Sequence, residues 1–270
     1  MDRILQAQEN ALLSFQKNIN PGKISGCYLV FKGTNSGTAL DDFSGLGSVI
    51  FKRNGETIVN RSVQSISRKN NIISGSNLID DNDSDAITAV TFIPFYVDGF
   101  KQALNIQGAS ELNFEYNPST LTDSTYSDLN LQVFSIVENR QEAYDYYLLG
   151  DDVNESGEVT AKPYQLNNQN IVGVYLEDPD DVLISAGLRQ DGKQVQSNQP
   201  LALLEGATLT ENNLEQNTIE MVRFKQYTDG NPPTLLNRDT ILELTTSGAM
   251  TVSLPVSKES IRLKGKNRNL

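Results

Sequence analysis

Residues 24–29 read Ile24-Ser25-Gly26-Cys27-Tyr28-Leu29, and residues 171–176 read Ile171-Val172-Gly173-Val174-Tyr175-Leu176. The shared pattern is I-x-G-x-Y-L, and the step from 24 to 171 is a displacement of 147. A second echo follows each copy. Phe51-Lys52-Arg53-Asn54-Gly55-Glu56-Thr57-Ile58 is matched by Leu188-Arg189-Gln190-Asp191-Gly192-Lys193-Gln194-Val195, a displacement of 137 from 51 to 188. The order is kept, and the two displacements differ by 10, the length of one longer loop in the first half. Two echoes in register point to two copies of one β-domain.

The surrounding pattern agrees. Ile24–Lys32 is apolar-rich, with Tyr28, Val30 and Phe31 adding strand propensity. Asn54-Gly55 stands between the β runs 49–52 and 57–61, and Asp191-Gly192 occupies the same place in the second copy. Both pairs predict tight hairpins, because the turn residues take positive φ. Leu112, Phe114 and Tyr116 alternate, as do Leu129, Leu131 and Val133, which predicts strands with one face on a core. The second copy offers strands at 171–176, 182–188, 194–204, 220–227, 240–244 and 250–256. Ile4, Leu5, Ala11, Leu12 and Phe15 fall on one side of a helical wheel, so residues 3–17 predict an amphipathic helix ended by Asn20-Pro21-Gly22. The expected organisation is an N-terminal arm (1–21), a first sandwich (22–140), a linker with a short helix (141–158), a second sandwich (159–256) and a basic tail (257–270). Tyr144, Tyr146 and Tyr147 cluster in the linker, where they suit packing between domains or subunits.

Composition narrows the chemistry. The 270 residues carry 34 acids against 22 Lys and Arg, a formal charge of −12. That opposes a phosphate-wrapping surface and sequence-specific nucleic-acid binding. The tail is the exception: Lys258, Arg262, Lys264, Lys266 and Arg268 face a single Glu259. It reads as a solvated end or as a basic arm for a neighbouring subunit, an anionic membrane or packaged nucleic acid. The chain has no histidine, which excludes Ser-His-Asp and Cys-His catalysis and His-based metal sites. Its one cysteine, Cys27, lies in an apolar run and reads as a small core residue rather than a nucleophile. No run of about 20 apolar residues predicts a spanning helix, and the first residues lack the order of a secretory signal.

Asp81, Asp83 and Asp85 alternate like the first ligands of a calcium loop. Ala86 and Phe92, however, stand where such a loop places its glycine and its bidentate glutamate. The cluster therefore reads first as a solvated loop, with calcium shared between subunits as the alternative. Glu177-Asp178-Pro179-Asp180-Asp181 reads as turn chemistry. No cofactor and no catalytic residue are expected.

Short strands separated by Gly, Asn, Asp and Pro turns predict an all-β chain of two tandem eight-stranded antiparallel jelly-roll sandwiches with a short helical arm. On the paired blocks 24–29 with 51–58 and 171–176 with 188–195, and on its length, the chain resembles the double jelly-roll major capsid proteins. That group includes those of corticoviruses, tectiviruses and the adenovirus hexon. The resemblance spans most of residues 22–256 and is one of pattern and layout. It implies a non-enzymatic bacteriophage capsid protein, a pseudo-hexameric homotrimer tiling an icosahedral shell, often over an internal membrane. It further implies neighbouring trimers, vertex (penton) and minor capsid proteins as partners, and assembly in the host cytoplasm. The competing readings are a viral spike or carbohydrate-binding β-module and a glycosidase or amidase that works without histidine.

Overall fold

The computed structural model describes residues 2–35, 43, 45–67, 78–83, 86–95, 103–119, 126–138, 146–147, 153–155, 159–165, 173–177, 182–190, 192–200, 218–223, 240–248, 250–253 and 256–257. The chain divides into two compact units, Met1–Leu148 and Leu149–Leu270.

The first unit holds β1 (Asp2–Asn10), β2 (Phe15–Asn18), β3 (Gly22–Asn35), β4 (Ser48–Arg53), β5 (Glu56–Ser62), β6 (Leu78–Asp83), β7 (Ala86–Pro94), β8 (Leu104–Ile106), β9 (Leu112–Asn117), β10 (Tyr126–Val137) and β11 (Tyr146–Tyr147). Strands β1-β10-β3-β7-β6 form one sheet, with β8 added beside β3, and β2-β9-β4-β5 form the other. The helical segment among the described residues is one turn at 63–67, where Ser62 Oγ accepts the Ser65 N–H at 3.0 Å.

The second unit holds β12 (Val153–Glu155), β13 (Val159–Gln165), β14 (Gly173–Glu177), β15 (Leu183–Gln190), β16 (Lys193–Pro200), β17 (Thr218–Arg223), β18 (Thr240–Thr246), β19 (Met250–Ser253) and β20 (Val256–Ser257). Its sheets run β12-β19-β14-β17 and β13-β18-β15-β16. Strand for strand this is the order β1-β10-β3-β7 and β2-β9-β4-β5 of the first unit. Each unit is an antiparallel jelly roll, and the chain is a double one.

Period-two patterning builds the first core. Cys27, Leu29 and Phe31 of β3, Leu129, Leu131 and Val133 of β10, and Leu112, Phe114 and Tyr116 of β9 are all buried. Phe31 and Tyr116, from opposite sheets, approach with ring centroids 6.0 Å apart. Phe51 of β4 meets Phe95, just past β7, edge-on at 5.1 Å. Each such ring, once buried, stabilises the fold by roughly 1.5–3 kcal/mol. The Tyr116 hydroxyl donates to the Leu46 carbonyl at 3.0 Å, so the ring enters the core without stranding its polar end. In the second unit Leu183 and Ala186 of β15 and Leu242 and Leu244 of β18 are buried. Pro163 sits in β13, the edge strand of its sheet, where a missing N–H costs no ladder bond.

The N-terminal residues depart from the helical expectation. They form β1 and β2, which are strands of the two sheets, so the first sandwich begins near residue 2 rather than 22. An isolated amphipathic helix of that length is marginal in water. The edge of β10 instead offers a ladder of eight registered pairs, from Asp2↔Val137 to Asn10↔Asn130. In the strand Ala7 enters the core, while Ile4 and Leu5 stay 40% and 45% exposed. The linker also differs: Val153–Glu155 pairs with β19 as a strand of the second unit. The rest of the linker expected to hold a short helix, residues 141–145, 148–152 and 156–158, lies outside the described residues, as does the basic tail from 258 onward.

Candidate assembly surface

Gly26 shows why the I-x-G-x-Y-L stretch needs its glycine. A Cβ there would lie 2.5 Å from the Ile93 carbonyl oxygen and 2.5 Å from the Phe92 ring. The absent side chain lets Phe92 settle across β3 and meet Tyr28 with centroids 4.9 Å apart. The Arg3 guanidinium sits 5.5 Å above the Tyr28 ring, a cation–π contact.

These residues belong to the face of the β1-β10-β3-β7 sheet that points away from the core. Register aligns Leu5, Phe134, Tyr28 and Phe92 in one row across the four strands. The next row is Gln8, Gln132, Val30 and Val90, and the third is Asn10, Asn130, Lys32 and Thr88. All of these side chains are half-buried or exposed. Leu5, Phe134, Tyr28, Phe92, Val30 and Val90 thus make a contiguous apolar patch. Across β1, β10, β3 and β7 the three rows carry no acid, and the charged members are Lys32 and, beside the first row, Arg3; the third row continues from Thr88 to Asp80 on β6. Aromatic residues and Arg with few acids are the composition of a contact surface.

The patch ends at β1, whose outer edge is bent rather than straight. The register slips between Leu5 and Ala7. Gln6 holds the bulge from both sides: its Nε2 donates to Ser135 Oγ at 2.5 Å, and its Oε1 accepts the Asn20 N–H at 2.8 Å. A fixed bulge discourages strand addition, so the sheet face rather than the edge is what the unit offers.

A second feature is duplicated on the other sheet. Lys52 of β4 pairs with Glu115 of β9 at 2.6 Å, and Arg189 of β15 pairs with Glu243 of β18 at 3.0 Å. Both pairs are diagonal, since Glu115 stands opposite Ile50 and Glu243 opposite Gly187, each two residues before its basic partner. The turns beside them are alike. Asn54 and Gly55 have φ of 51° and 80°, and Gly192 has φ of 72°. Asp191 lies outside the described residues.

The remaining candidates stand apart from the patch. Cys27 is fully buried, and burial raises its pKa well above the ordinary thiol range. Asp81 and Asp83 lie on β6, an edge strand, and Asp85 lies outside the described residues. Among the described residues no three acidic or thiol groups converge as a metal site. Sequence reasoning missed Arg3, Leu5, Phe92 and Phe134. The available signal was apolar residues on the wrong parity: Val90 and Phe92 interleave with Ala89 and Ile93 in a strand whose sheet has only one core face.

No family model matches the sequence, and no curated protein matches it. Solved structures do match the fold. The major capsid protein P2 from bacteriophage PM2 superposes with a TM-score of 0.62 at 11% identity, covering 94% of this chain and 98% of that one. The PBCV-1 virus capsid gives 0.62 at 10% identity, covering 94% and 92%. PBCV-1 VP54 gives 0.58 at 10% identity with the same coverage of 94% and 92%. Those proteins share the fold of this chain across nearly its whole length.

Proposed function

We propose that this chain is the major capsid protein of a virus, and that it acts by self-assembly. The observation that carries the reading is the whole-chain match, both jelly rolls together, to shell proteins of two viruses. A single sandwich is a common architecture with many functions. Here two stand in tandem, and the match runs over 94% of the chain. Closed sandwiches give a tile stiff walls with few open strand edges. Contacts that are individually modest become strong when every tile touches several neighbours.

The finer reading is a homotrimer whose six jelly rolls form a pseudo-hexagonal tile in an icosahedral bacteriophage shell. Its partners are neighbouring trimers, vertex and minor capsid proteins, and an internal membrane; assembly takes place in the host cytoplasm before release in the virion. Light scattering after size exclusion tests the trimer, with an expected mass three times 29.8 kDa. Negative-stain microscopy at raised concentration tests tiling. A strictly monomeric protein that binds glycans would replace this reading with the binding-module one.

A further inference from the structure

Asn54-Gly55 is the chain's one Asn-Gly pair, and it stands exposed at the tip of the β4–β5 hairpin. Asparagine followed by glycine carries a built-in reaction. The glycine backbone nitrogen, once it gives its proton to a solvent base, attacks the asparagine Cγ. A new C–N bond closes a five-membered succinimide as the Cγ–Nδ2 bond breaks and ammonia leaves. Water then opens the ring at either carbonyl, giving aspartate or its isomer isoaspartate. Glycine favours closure because it has no side chain to crowd the ring and little restriction on its backbone.

The fold holds this pair in a shape that opposes closure. Arg53 pairs with Glu56 in the ladder, so Asn54 and Gly55 form a two-residue loop, and their φ values are 51° and 80°. Positive φ at both positions is a type I′ turn. As the mirror image of type I, it gives its first residue a ψ of about +30°. That sets the Gly55 nitrogen and the Asn54 Cβ on nearly opposite sides of the Cα–C bond, whereas ring closure needs them side by side. A second restraint holds the side chain. The β4–β9 ladder ends at Arg53↔Leu112, and Asn54 adds a last rung beyond it. Its N–H donates to the Glu111 carbonyl at 3.0 Å, and its Oδ1 accepts the Glu111 N–H at 2.8 Å. The tip must leave Glu111 and the turn must unwind before Cγ reaches the Gly55 nitrogen.

We propose that Asn54 is a site of spontaneous modification gated by the fold: it deamidates when the β4–β5 tip lets go of Glu111, and it stays intact while the turn is made. The two products have different fates. Aspartate followed by glycine is the pair that the second copy carries at its corresponding turn, Asp191-Gly192, where Gly192 has φ of 72°. The aspartyl product therefore still suits the hairpin, with a carboxylate oxygen to accept the Glu111 N–H. The isoaspartyl product runs the backbone through Cβ and so lengthens the loop, which breaks the two-residue register of Arg53 with Glu56. A chain whose first unit has stayed open is thereby marked in a way that refolding does not erase.

The test is peptide mapping of the full-length protein by mass spectrometry, after incubation at mildly alkaline pH with and without denaturing urea. Asn54 should deamidate at least about tenfold faster in the unfolded chain, since the folded rate is the unfolded rate scaled by the open population. At urea concentrations below the unfolding transition, its rate should rise in step with hydrogen exchange at the Glu111 amide. The Asn54→Asp variant should melt like the original. When the aged chain is diluted from urea, the folded fraction from size exclusion should retain the aspartyl product and be depleted about threefold in the isoaspartyl one. An Asn54 that stays intact in the unfolded chain overturns the site. Equal rates in the folded and unfolded chain overturn the gate. An isoaspartyl product as abundant in the folded fraction as in the remainder overturns the marking.

Discussion

In the first unit the row crossing β1, β10, β3 and β7 reads Leu5, Phe134, Tyr28 and Phe92; in the second, the row crossing β19, β14 and β17 reads Ser253, Tyr175 and Glu220. The other sheet behaves differently. There the diagonal ion pair recurs as Lys52–Glu115 and Arg189–Glu243, and a positive-φ glycine recurs as Gly55 and Gly192. One sheet has kept its surface chemistry in both units, and the other has diverged. Strand order and turn geometry constrain both copies equally, because each must close its own core. The outer face of a sheet is free of that constraint, so its residues can differ between the copies without disturbing either core.

The largest effect should come from the core, and it tests whether the units unfold separately. Phe51 is fully buried and touches Phe95 and Phe114, at 5.1 and 4.9 Å between centroids. Phe51→Ala should destabilise the first unit by about 4 kcal/mol. Calorimetry should show one transition moved down and the other unmoved. Leu242→Ala, at a fully buried position on β18 of the second unit, should move the other transition. A single transition that shifts with either variant would break the picture of two independent cores.

Gly26 and Gly173 form the next contrast. Gly26→Val drives a side chain into the Ile93 carbonyl and the Phe92 ring and should cost about 2–3 kcal/mol. Opposite Tyr175, where the first unit has Phe92 opposite Tyr28, stands Glu220 rather than an aromatic residue, so Gly173→Val should cost less than Gly26→Val. Equal costs, measured by denaturant unfolding, would mean that the glycine serves the backbone in both copies rather than the aromatic row in one.

Cys27 separates the units by pH. Val174 holds its place in the second copy, so a pH-dependent thiol contribution belongs to the first unit alone. Burial holds the Cys27 pKa above its unfolded value. Its contribution is therefore complete below about pH 8.5 and is lost as pH rises through the alkaline range, where the unfolded thiol ionises and the folded one does not. At pH 10 the loss should be about 2 kcal/mol relative to pH 7, measured as the difference between the native chain and Cys27→Ala. A water-soluble thiol reagent should leave the folded protein unlabelled at neutral pH; rapid labelling there would contradict the burial.

How much of this was legible in the sequence depends on how local the cause is. Asn54-Gly55 was readable because the turn is set by its own two residues, and both have positive φ. The alternation at Leu112, Phe114 and Tyr116 was readable because one strand carries the whole signal. The N-terminal strand was not, because what makes it a strand is Val133, opposite Ala7 and more than a hundred positions away. The helical wheel gathered Ile4 and Leu5 onto a common side, whereas the strand leaves both largely exposed. β6 and β13 were hidden by composition: one is acid-rich, and the other contains a proline, each tolerable at an edge. The outer patch needed register, which places Leu5, Phe134, Tyr28 and Phe92 side by side although they are scattered over 130 positions of chain.

The turns sharpen the comparison at a smaller scale. A Cβ on Gly55 or Gly192 would meet nothing within 4 Å, so substitution there costs only the backbone strain of positive φ. Gly55→Ala and Gly192→Ala should each cost about 1 kcal/mol, and by nearly the same amount. A large difference would show that one hairpin carries a load the other does not.

The smallest effects are the most discriminating, because they ask whether the shared surface is shared in energy as well as geometry. Lys52 and Glu115 are 34% and 21% exposed, and Arg189 and Glu243 are 44% and 23% exposed. Partly solvated pairs of this kind contribute about 0.2–1 kcal/mol. Double-mutant cycles on Lys52→Ala with Glu115→Ala, and on Arg189→Ala with Glu243→Ala, should return coupling energies in that range, both reduced by added salt. Similar values would mean that the matching register yields matching interactions in sandwiches of different sequence. A coupling present in only one unit would place divergence on this sheet too, and the contrast with the Tyr28 and Tyr175 faces would become one of degree.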